Sequence, residues 1–416
     1  ILYVIGTAGH VDHGKSTLIK ALTGIDPDRL AEEKEREMTI DLGFAWVTLP
    51  SGLDVSVIDV PGHEHFIKNM LKGVSGMDLA LLIVSAVESI KPQTMEHMDI
   101  LSLMEVPRLI AVITQCDLTD EDQTALVGME IEDLLKPTRF GGAPIVSVSA
   151  VSGSGMDNLK SAIDNVLKSL RPRRSINRPR LPIDRIFTIS GSGTVVTGTL
   201  IDGSLRTGQE VEIQPEGVKT RVRGLQTHKT QVDTAEPGNR TAVNLSGLGK
   251  SDLHRGSVLT NPGWLAPTCL LDAGLYLLER PGRPLRHNTE ISFHAGSAEV
   301  TARIRMLEYE EAAPGASTWV QFVLNDPIAV SNGDHYVIRS PMDTLGGGIR
   351  RCHRTVRPHG DHPRRDRSQD RLRVVLDVHE LQRALLECAV GILELKLHET
   401  QVGRLSLLEV PQPPEE

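Results

Sequence analysis

Cysteine is scarce in this sequence, and long apolar runs are absent. The four cysteines, Cys116, Cys269, Cys352 and Cys388, form no CxxC pair, so the spacing typical of a zinc site or a disulfide framework is missing. No apolar run reaches the roughly 18 residues that cross a bilayer, and the opening letters ILYVIGTAGH are typical of a buried strand and a loop, not of a signal peptide. We therefore expect a cytoplasmic protein in a reducing compartment, with no membrane partner.

Positively charged residues are fewer than negatively charged ones. The formal net charge is -9, so the surface is not suited to nonspecific binding of nucleic acid, and any contact with RNA requires a local basic patch. A chain of 416 residues that is 39% hydrophobic and 24% charged is typical of a globular protein. Its length predicts two to four domains.

The first 170 residues indicate an α/β domain. Short apolar runs (YVIG, VSVID, LALLIVSA, RLIAVIT and PIVSVSA) alternate with segments of helical period. Continuous apolar strands separated by helices predict a mostly parallel sheet with helices on both faces. We assign this domain to residues 1–171, because the Pro- and Arg-rich letters LRPRRSINRPR that follow are typical of a linker.

The remainder of the chain changes character twice. Short β-rich runs punctuated by glycine predict two antiparallel β-barrel domains, over residues 175–262 and 266–350. Residues 350–373 then contain nine Arg, three His and no Lys. This stretch could be an RNA-binding arm, but a solvated linker is the favoured interpretation, and Leu at helical spacing predicts a short helical tail in what remains of residues 351–416.

The clearest motif is a phosphate-binding loop. The letters GHVDHGKS fit the pattern GxxxxGK[ST] between a predicted strand at residues 2–7 and a predicted helix at residues 17–22. In this arrangement backbone N–H groups surround a phosphate, Lys15 reaches the terminal phosphates and the Ser16 hydroxyl ligates magnesium. The nucleotide-binding residues predicted here are Gly9, His10, Val11, Asp12, His13, Gly14, Lys15, Ser16 and Thr17.

A second motif, DVPGHEHF at residues 59–66, follows the next apolar strand. Asp59 can hold magnesium through a water molecule, and the Gly62 amide can meet a γ-phosphate. His63 can orient the attacking water. A histidine in isolation is more often a surface residue, but beside a phosphate loop the catalytic role is favoured.

The intervening segment EEKEREMTIDLGFAW, residues 32–46, offers a candidate switch. The Thr39 hydroxyl could complete the magnesium shell only when a γ-phosphate is present. An exposed charged helix that ends at Thr39 is the alternative, and on this segment alone it is the simpler one.

The stretch VITQCDL, residues 112–118, is the candidate base site. The Asp117 carboxylate can accept hydrogen bonds from the N1–H and N2–H groups of guanine, whereas adenine presents an acceptor at N1. Ser149 can hold that carboxylate in place, and the Ala150 N–H can donate to guanine O6. Thr114 and Gln115 are the other nucleotide-binding residues predicted in this region. Gln115 stands where a lysine is usual, and we expect this difference to lower nucleotide affinity more than base selectivity.

Together these segments resemble the translational GTPases and, within them, the selenocysteine-specific elongation factors. The likeness runs from residue 1 to about residue 349 and includes GTAGHVDHGKSTLIKALTGIDPDRLAEEKE, MTIDLGFA, DVPGHEHFIKNMLKGVSGMDLALLIVSA with PQTMEHMDIL, and LPIDRIFTISGSGTVVTGTL. The phosphate loop and DVPGH are shared by the wider superfamily. GIDPDRL, TIDLGFA, the EHFIKNML continuation and LPIDRIFT are more particular to the selenocysteine factors.

The resemblance implies a GTPase with GTP/GDP and Mg²⁺ as cofactors, delivering selenocysteinyl-tRNA to the ribosome for incorporation at UGA codons. It implies a monomer in which GTP hydrolysis, stimulated by the ribosome, releases the tRNA. Val11 and Met38 would form an apolar gate in front of His63. The catalytic residues it implies are His63, Lys15 and Asp12, and the magnesium site it implies comprises Ser16, Thr39 and, through water, Asp59.

The resemblance also implies an amino-acid pocket. A selenol is more acidic than a thiol, whose reference pKa is about 8.5, so fixed positive charge can select selenocysteine over serine. Arg185 and Arg240 would face the selenolate, Asp184 would lie nearer the ammonium group, and Trp46 would line the pocket. Without the resemblance, surface charge on a barrel is the simpler interpretation of both arginines.

Departures from the family pattern leave alternatives open. Glu37 replaces a usual glycine before the letters MT, where a positive φ would disfavour it, and residues 351–416 hold no counterpart of the family's winged-helix domains. We therefore do not expect the mRNA insertion hairpin to be bound. The alternatives are a general elongation factor Tu-like or initiation-factor γ-like GTPase, and a truncated nucleotide-binding relative that does not cycle.

Overall fold

The computed structural model describes residues 3–27, 39, 41–63, 66–170, 175–189, 193–228, 230–280, 282–341 and 343–350. The expectations for Glu37, Met38 and residues 351–416 lie outside these ranges. Within them, no helix is long and apolar enough to cross a membrane.

A six-stranded sheet forms the first part of the chain. The strand order is β2-β3-β1-β4-β5-β6, and every neighbouring pair is parallel except β2 with β3. The apolar runs are continuous because the central strands are covered on both faces. The predicted mostly parallel sheet is confirmed. The strands are β1 (Tyr3–Gly9), β2 (Gly43–Thr48), β3 (Asp54–Asp59), β4 (Leu79–Ser85), β5 (Arg108–Thr114) and β6 (Ile145–Ser147).

Helices cover both faces of this sheet. Successive residues of β1 show this, because Val4 belongs to one apolar cluster and Ile5 to another. The first cluster contains α2, α3 and α4, and the second contains α1 and α5. The helices are α1 (Lys15–Thr23), α2 (Ile67–Val74), α3 (Pro92–Leu103), α4 (Glu121–Leu135) and α5 (Met156–Lys168).

An eight-stranded antiparallel sheet follows. Its path runs β7-β16-β11-β12-β15-β9-β8, with β13 paired to β12. Its apolar side chains meet in one cluster. Its strands are β7 (Arg180–Pro182), β8 (Arg185–Ile189), β9 (Gly193–Thr199), β11 (Glu210–Gln214), β12 (Val218–Thr227), β13 (Thr230–Val232), β15 (Arg240–Leu245) and β16 (Val258–Thr260); the short β10 (Leu205–Arg206) and β14 (Thr234–Ala235) pair with each other.

The last strands close into a six-stranded antiparallel barrel, as predicted for this part of the chain. Alternating residues point inward, and Phe293, Phe322 and Tyr336 pack together in its core. The barrel strands are β17 (Thr268–Leu277), β19 (Glu290–Ala295), β20 (Ala298–Met306), β22 (Ser317–Ile328), β23 (His335–Arg339) and β24 (Thr344–Arg350); β18 (Leu285–Arg286) and β21 (Glu311–Ala312) form a separate pair.

Helix α3 connects the parallel sheet to this barrel through ion pairs. Glu96 accepts from Arg339 at 3.1 Å, and Asp99 accepts from Arg280 at 3.0 Å. A neighbouring side of α3 contacts the end of β1 and the loop that follows it. The helix therefore lies between the barrel and the end of the sheet where the candidate site is found.

Candidate functional site

The predicted phosphate loop joins β1 to α1. Gly9 has φ 135°, and a Cβ there would lie 2.2 Å from the Ile83 carbonyl oxygen of the adjacent strand, so only glycine fits. Gly14 has φ 76° and starts α1 at Lys15, two residues before the predicted start. The loop thus occupies the carboxyl end of the sheet, at the amino end of a helix, where backbone N–H groups favour an anion.

Lys15 lies inside the loop. Its side chain is 6% exposed and its ammonium donates to the His10 carbonyl oxygen at 2.6 Å. Gly62 packs directly on this group, since a Cβ at residue 62 would lie 2.2 Å from the Lys15 nitrogen and 2.7 Å from the Val11 nitrogen. The DVPGH segment and the phosphate loop are therefore in contact, as their motifs predicted.

Two of the three candidate magnesium ligands are in contact beside Lys15. The Ser16 and Thr39 hydroxyl oxygens are 2.9 Å apart. Asp59 is fully buried at the end of β3 and accepts a hydrogen bond from Thr7 at 2.7 Å. Hydroxyl and carboxylate oxygens are the hard donors that Mg²⁺ prefers, so the chemistry of these residues fits the ion.

His63 follows Gly62 on the loop before α2. It is partly exposed, its ring centroid lies 5.9 Å from that of Phe66, and its carbonyl accepts from the Phe66 N–H. Asp12, also predicted as catalytic, has φ 65° and an exposed side chain. Thr17 is exposed on the first turn of α1.

Two residues of α3 support the phosphate loop, and sequence reasoning assigned them no role. The His97 ring nitrogen Nδ1 accepts from the Gly9 N–H at 2.9 Å, and Gln93 accepts from the Val11 N–H at 3.4 Å. Burial lowers the pKa of His97 to about 3, which keeps it neutral and able to accept. Burial likewise lowers the pKa of His13, in the loop itself, to about 4.

The base-recognition segment reaches the phosphate loop through side chains. The Gln115 amide donates to the Asp12 carbonyl at 3.1 Å and its oxygen accepts from the Ser85 hydroxyl. Thr114 donates to the His13 carbonyl at 2.8 Å. The neutral Gln115 amide is therefore long enough to link the base-recognition segment to the phosphate loop, and its expected effect on nucleotide affinity stays a prediction.

Asp117 is exposed at the end of β5, open to a base. Ser149 is 2% exposed, and its hydroxyl accepts from the Ser152 N–H at 3.1 Å. Among the described residues no hydrogen bond joins Ser149 to Asp117, so the expected support of the carboxylate is not made in this conformation. Ala150 is partly exposed beside it.

A second polar cluster lies where β2 meets the eight-stranded sheet. Arg240 donates to both Asp184 carboxylate oxygens, at 2.5 and 2.7 Å, and their side chains are 14% and 8% exposed. Thr197 donates to the same carboxylate at 2.9 Å. Asp184 thus orients Arg240, and its place near a ligand's ammonium group, which the resemblance implies, stays a prediction.

Both candidate arginines lie over the same aromatic ring. The guanidinium carbons of Arg240 and Arg185 lie 3.5 and 5.0 Å from the centroid of Phe44, a cation–π arrangement. Trp46, two residues along β2, instead stacks on His228 at 5.6 Å. Phe44 is therefore the ring beneath the arginines, a residue to which the sequence assigned no role, and the expectation that Trp46 lines the pocket stays a prediction.

Comparisons with known families follow the same division of the chain. Residues 2–169 match the Elongation factor Tu GTP binding domain, residues 193–260 match Elongation factor Tu domain 2, and residues 275–349 match the β-barrel domain of the selenocysteine-specific elongation factor. The selenocysteine-specific elongation factor of Desulfomicrobium baculatum is 44% identical over 364 residues, which cover 87% of this chain and 57% of that protein. This chain belongs to the family of selenocysteine-specific elongation factors.

Other members agree in sequence and in fold. The Escherichia coli (strain K12) selenocysteine-specific elongation factor is 36% identical over 83% of this chain and 54% of its own length. A crystal structure of the bacterial factor EF-Sec has a TM-score of 0.76 at 33% identity, covering 84% of this chain and 58% of that one. The apo translation elongation factor SelB from Methanococcus maripaludis has a TM-score of 0.74 at 28% identity, covering 86% and 80%. The chain spans just over half the length of the curated relatives it matches.

Proposed function

We propose that this chain is a GTP-dependent elongation factor that delivers selenocysteinyl-tRNA to the ribosome in the cytoplasm, with GTP hydrolysis as the release step. The phosphate loop, the Ser16–Thr39 hydroxyl pair and the exposed Asp117 support GTP binding. Family membership favours this function over a general elongation factor or an initiation-factor γ-like GTPase.

In this mechanism the residues around the phosphate loop position GTP. Lys15 and the loop amides hold the terminal phosphates, and the Gly62 amide meets the γ-phosphate. Ser16, Thr39 and, through water, Asp59 would hold Mg²⁺, which would neutralise charge on the phosphates. His63 then orients the attacking water from the neighbouring loop.

The observation that carries the choice of amino acid is the arginine pair on Phe44. Arg185 and Arg240 lie over one ring, and Arg255 is 3.8 Å from the Asp41 carboxylate in the same cluster. Among the ion pairs of this part of the described chain, these three cations outnumber the carboxylates Asp184 and Asp41. A partly buried net positive charge favours a selenolate over the neutral hydroxyl of serine.

Arg185→Ala combined with Arg240→Ala tests this assignment. The assay is the dissociation constant of one tRNA charged with selenocysteine or with serine, measured in the presence of a GTP analogue. The double variant is expected to bind both with similar affinity. The matched control replaces two exposed arginines far along the chain, Arg286 and Arg303, and is expected to retain the preference. An unchanged preference in the pocket variant contradicts the assignment.

A nucleotide-binding relative that does not cycle is the remaining alternative. It predicts GTP binding without ribosome-stimulated hydrolysis. Tight, GTP-dependent binding of selenocysteinyl-tRNA together with stimulated hydrolysis excludes it. Nucleotide affinity and single-turnover hydrolysis with and without ribosomes therefore separate the two.

A further inference from the structure

Arg185 does more than face the pocket, because it also holds the chain segment that follows the candidate switch residue. Its Nε and Nη2 atoms lie 3.2 and 3.0 Å from the same Asp41 carboxylate oxygen, and Nη2 donates to the Leu42 carbonyl at 2.6 Å. Asp41 is two residues beyond Thr39, whose hydroxyl lies 2.9 Å from that of Ser16. One arginine thus joins the amino-acid pocket to the magnesium site.

The remaining guanidinium nitrogen of Arg185 is available for a ligand. Nη1 makes no hydrogen bond within the described residues, while Nε and Nη2 are both engaged. A guanidinium is planar and rigid, so two fixed nitrogens determine where the third points. The Phe44 ring supports one face of the same group.

We propose that Asp41 is a positioning residue that aims Arg185 into the amino-acid pocket only when Thr39 is docked beside Ser16. The inference rests on the proposed function and deepens it, because it makes recognition of the anionic amino acid depend on the bound nucleotide. Docking of Thr39 brings Asp41 and Leu42 to Arg185, and their contacts fix Nη1 toward the selenolate. Release of Thr39 removes those contacts, so Arg185 loses its orientation.

Electrostatics alone predicts the opposite effect of removing the carboxylate. Asp41 partly neutralises Arg185, so a neutral residue in its place would raise the positive potential and strengthen the binding of an anion. Positioning predicts weaker binding, because a freely rotating arginine loses side-chain entropy when it engages the ligand. The sign of the change therefore distinguishes a positioning residue from a simple counter-ion.

The test is Asp41→Asn in the full chain, which removes the charge and keeps the shape. The probes are selenocysteinyl-tRNA and seryl-tRNA on the same tRNA, each with a GTP analogue and with GDP. With the GTP analogue we expect selenocysteinyl-tRNA to bind about tenfold more weakly, the loss of roughly one charge-assisted hydrogen bond, and seryl-tRNA to change less than twofold. With GDP neither should change more than twofold.

The matched control is Asp99→Asn, because Asp99 also accepts from an arginine across a domain junction but lies on α3, away from the pocket. Asp99→Asn is expected to leave the affinities for selenocysteinyl-tRNA and seryl-tRNA unchanged with either nucleotide. In an Arg185→Gln background, Asp41→Asn should have no further effect on selenocysteinyl-tRNA, which a general loss of stability would not produce.

Three results would overturn the inference: stronger selenocysteinyl-tRNA binding in Asp41→Asn, an equal change for both tRNAs, or an equal change with both nucleotides. Failure of the proposed function shows elsewhere, in wild-type protein that binds the two tRNAs equally. If the wild-type protein prefers selenocysteinyl-tRNA and Asp41→Asn keeps that preference, the role of Asp41 is refuted and the proposed function stands.

Discussion

Replacing Gln115 with lysine tests how the base-recognition loop is tied to the phosphate loop. The Gln115 amide joins the Asp12 carbonyl to the Ser85 hydroxyl, a link that a lysine would make with a charged group. Gln115 has φ 59°, a left-handed conformation in which unbranched Gln and Lys side chains cost about the same. The change therefore isolates the side chain's hydrogen bonds and charge.

The expected gain is modest. Neutral hydrogen bonds contribute about 0.5 to 1.5 kcal/mol and charged ones about 1.5 to 3 kcal/mol. An ammonium must also give up water and can only donate, so the Ser85 hydroxyl has to rotate and accept. A net gain of about 1 kcal/mol remains, which corresponds to about fivefold tighter binding of both GTP and GDP.

Displacement of a fluorescent nucleotide measures this for GTP, GDP and ATP. Asp117→Asn is the contrasting variant, because it removes two charged hydrogen bonds to guanine and should lower GTP affinity roughly 10²- to 10⁴-fold and with it the preference over ATP. Gln115→Lys should leave that preference nearly unchanged. A changed preference would refute the role of Asp117, and unchanged affinity would show that the glutamine amide already does all that a lysine would do.

Three further variants probe the phosphate loop. Gly62→Ala places a methyl group 2.2 Å from the Lys15 nitrogen and against loop backbone, so nucleotide titration should show GTP binding weakened at least tenfold. His97→Gln should flatten the pH dependence of stability: burial lowers the folded pKa of His97 to about 3 against an unfolded value near 6.5, so its contribution is present above pH 6.5 and lost as pH falls. Urea unfolding between pH 6 and 4 should lose a slope of about 1.4 kcal/mol per pH unit in the variant, whereas an unchanged slope contradicts a neutral His97 that accepts from Gly9. His63→Gln should slow ribosome-stimulated hydrolysis about 10²-fold or more with GTP affinity intact, and a parallel loss of affinity would argue for a structural role.

The parts of the site that sequence predicted are those whose geometry is local. The spacing from Gly9 to Ser16 constrains a strand, a loop and a helix within a few residues, so Lys15 and Ser16 lie where the motif placed them. Asp59 and Asp117 were predicted because parallel strands align their carboxyl ends at one edge of a sheet. Their positions follow from strand order, which the apolar runs reveal.

The parts that sequence missed depend on contacts between distant segments. The sequence around His97 does not predict that its imidazole accepts a hydrogen bond from the Gly9 N–H, because 88 residues separate the two. Phe44 and Trp46 occupy the same face of β2, and only the position of the eight-stranded sheet decides which of them meets the arginines. The reach of Gln115 to Asp12 depends likewise on the left-handed backbone at Gln115, which glutamine seldom adopts.

The ion pair between Asp184 and Arg240 supports a functional rather than a stabilising role for the second cluster. Both side chains are largely buried, and removing two charges from water costs about as much as their attraction returns, so such a pair is weak evidence for stability. What the pair does provide is direction: two hydrogen bonds and the Phe44 ring leave Arg240 a single orientation. Arg185 is fixed in the same way by Asp41 and Leu42, from a different segment of the chain. We infer that two arginines oriented by separate carboxylates over one aromatic ring would serve as an anion receptor, whose two halves come together only when β2 and the eight-stranded sheet are in contact.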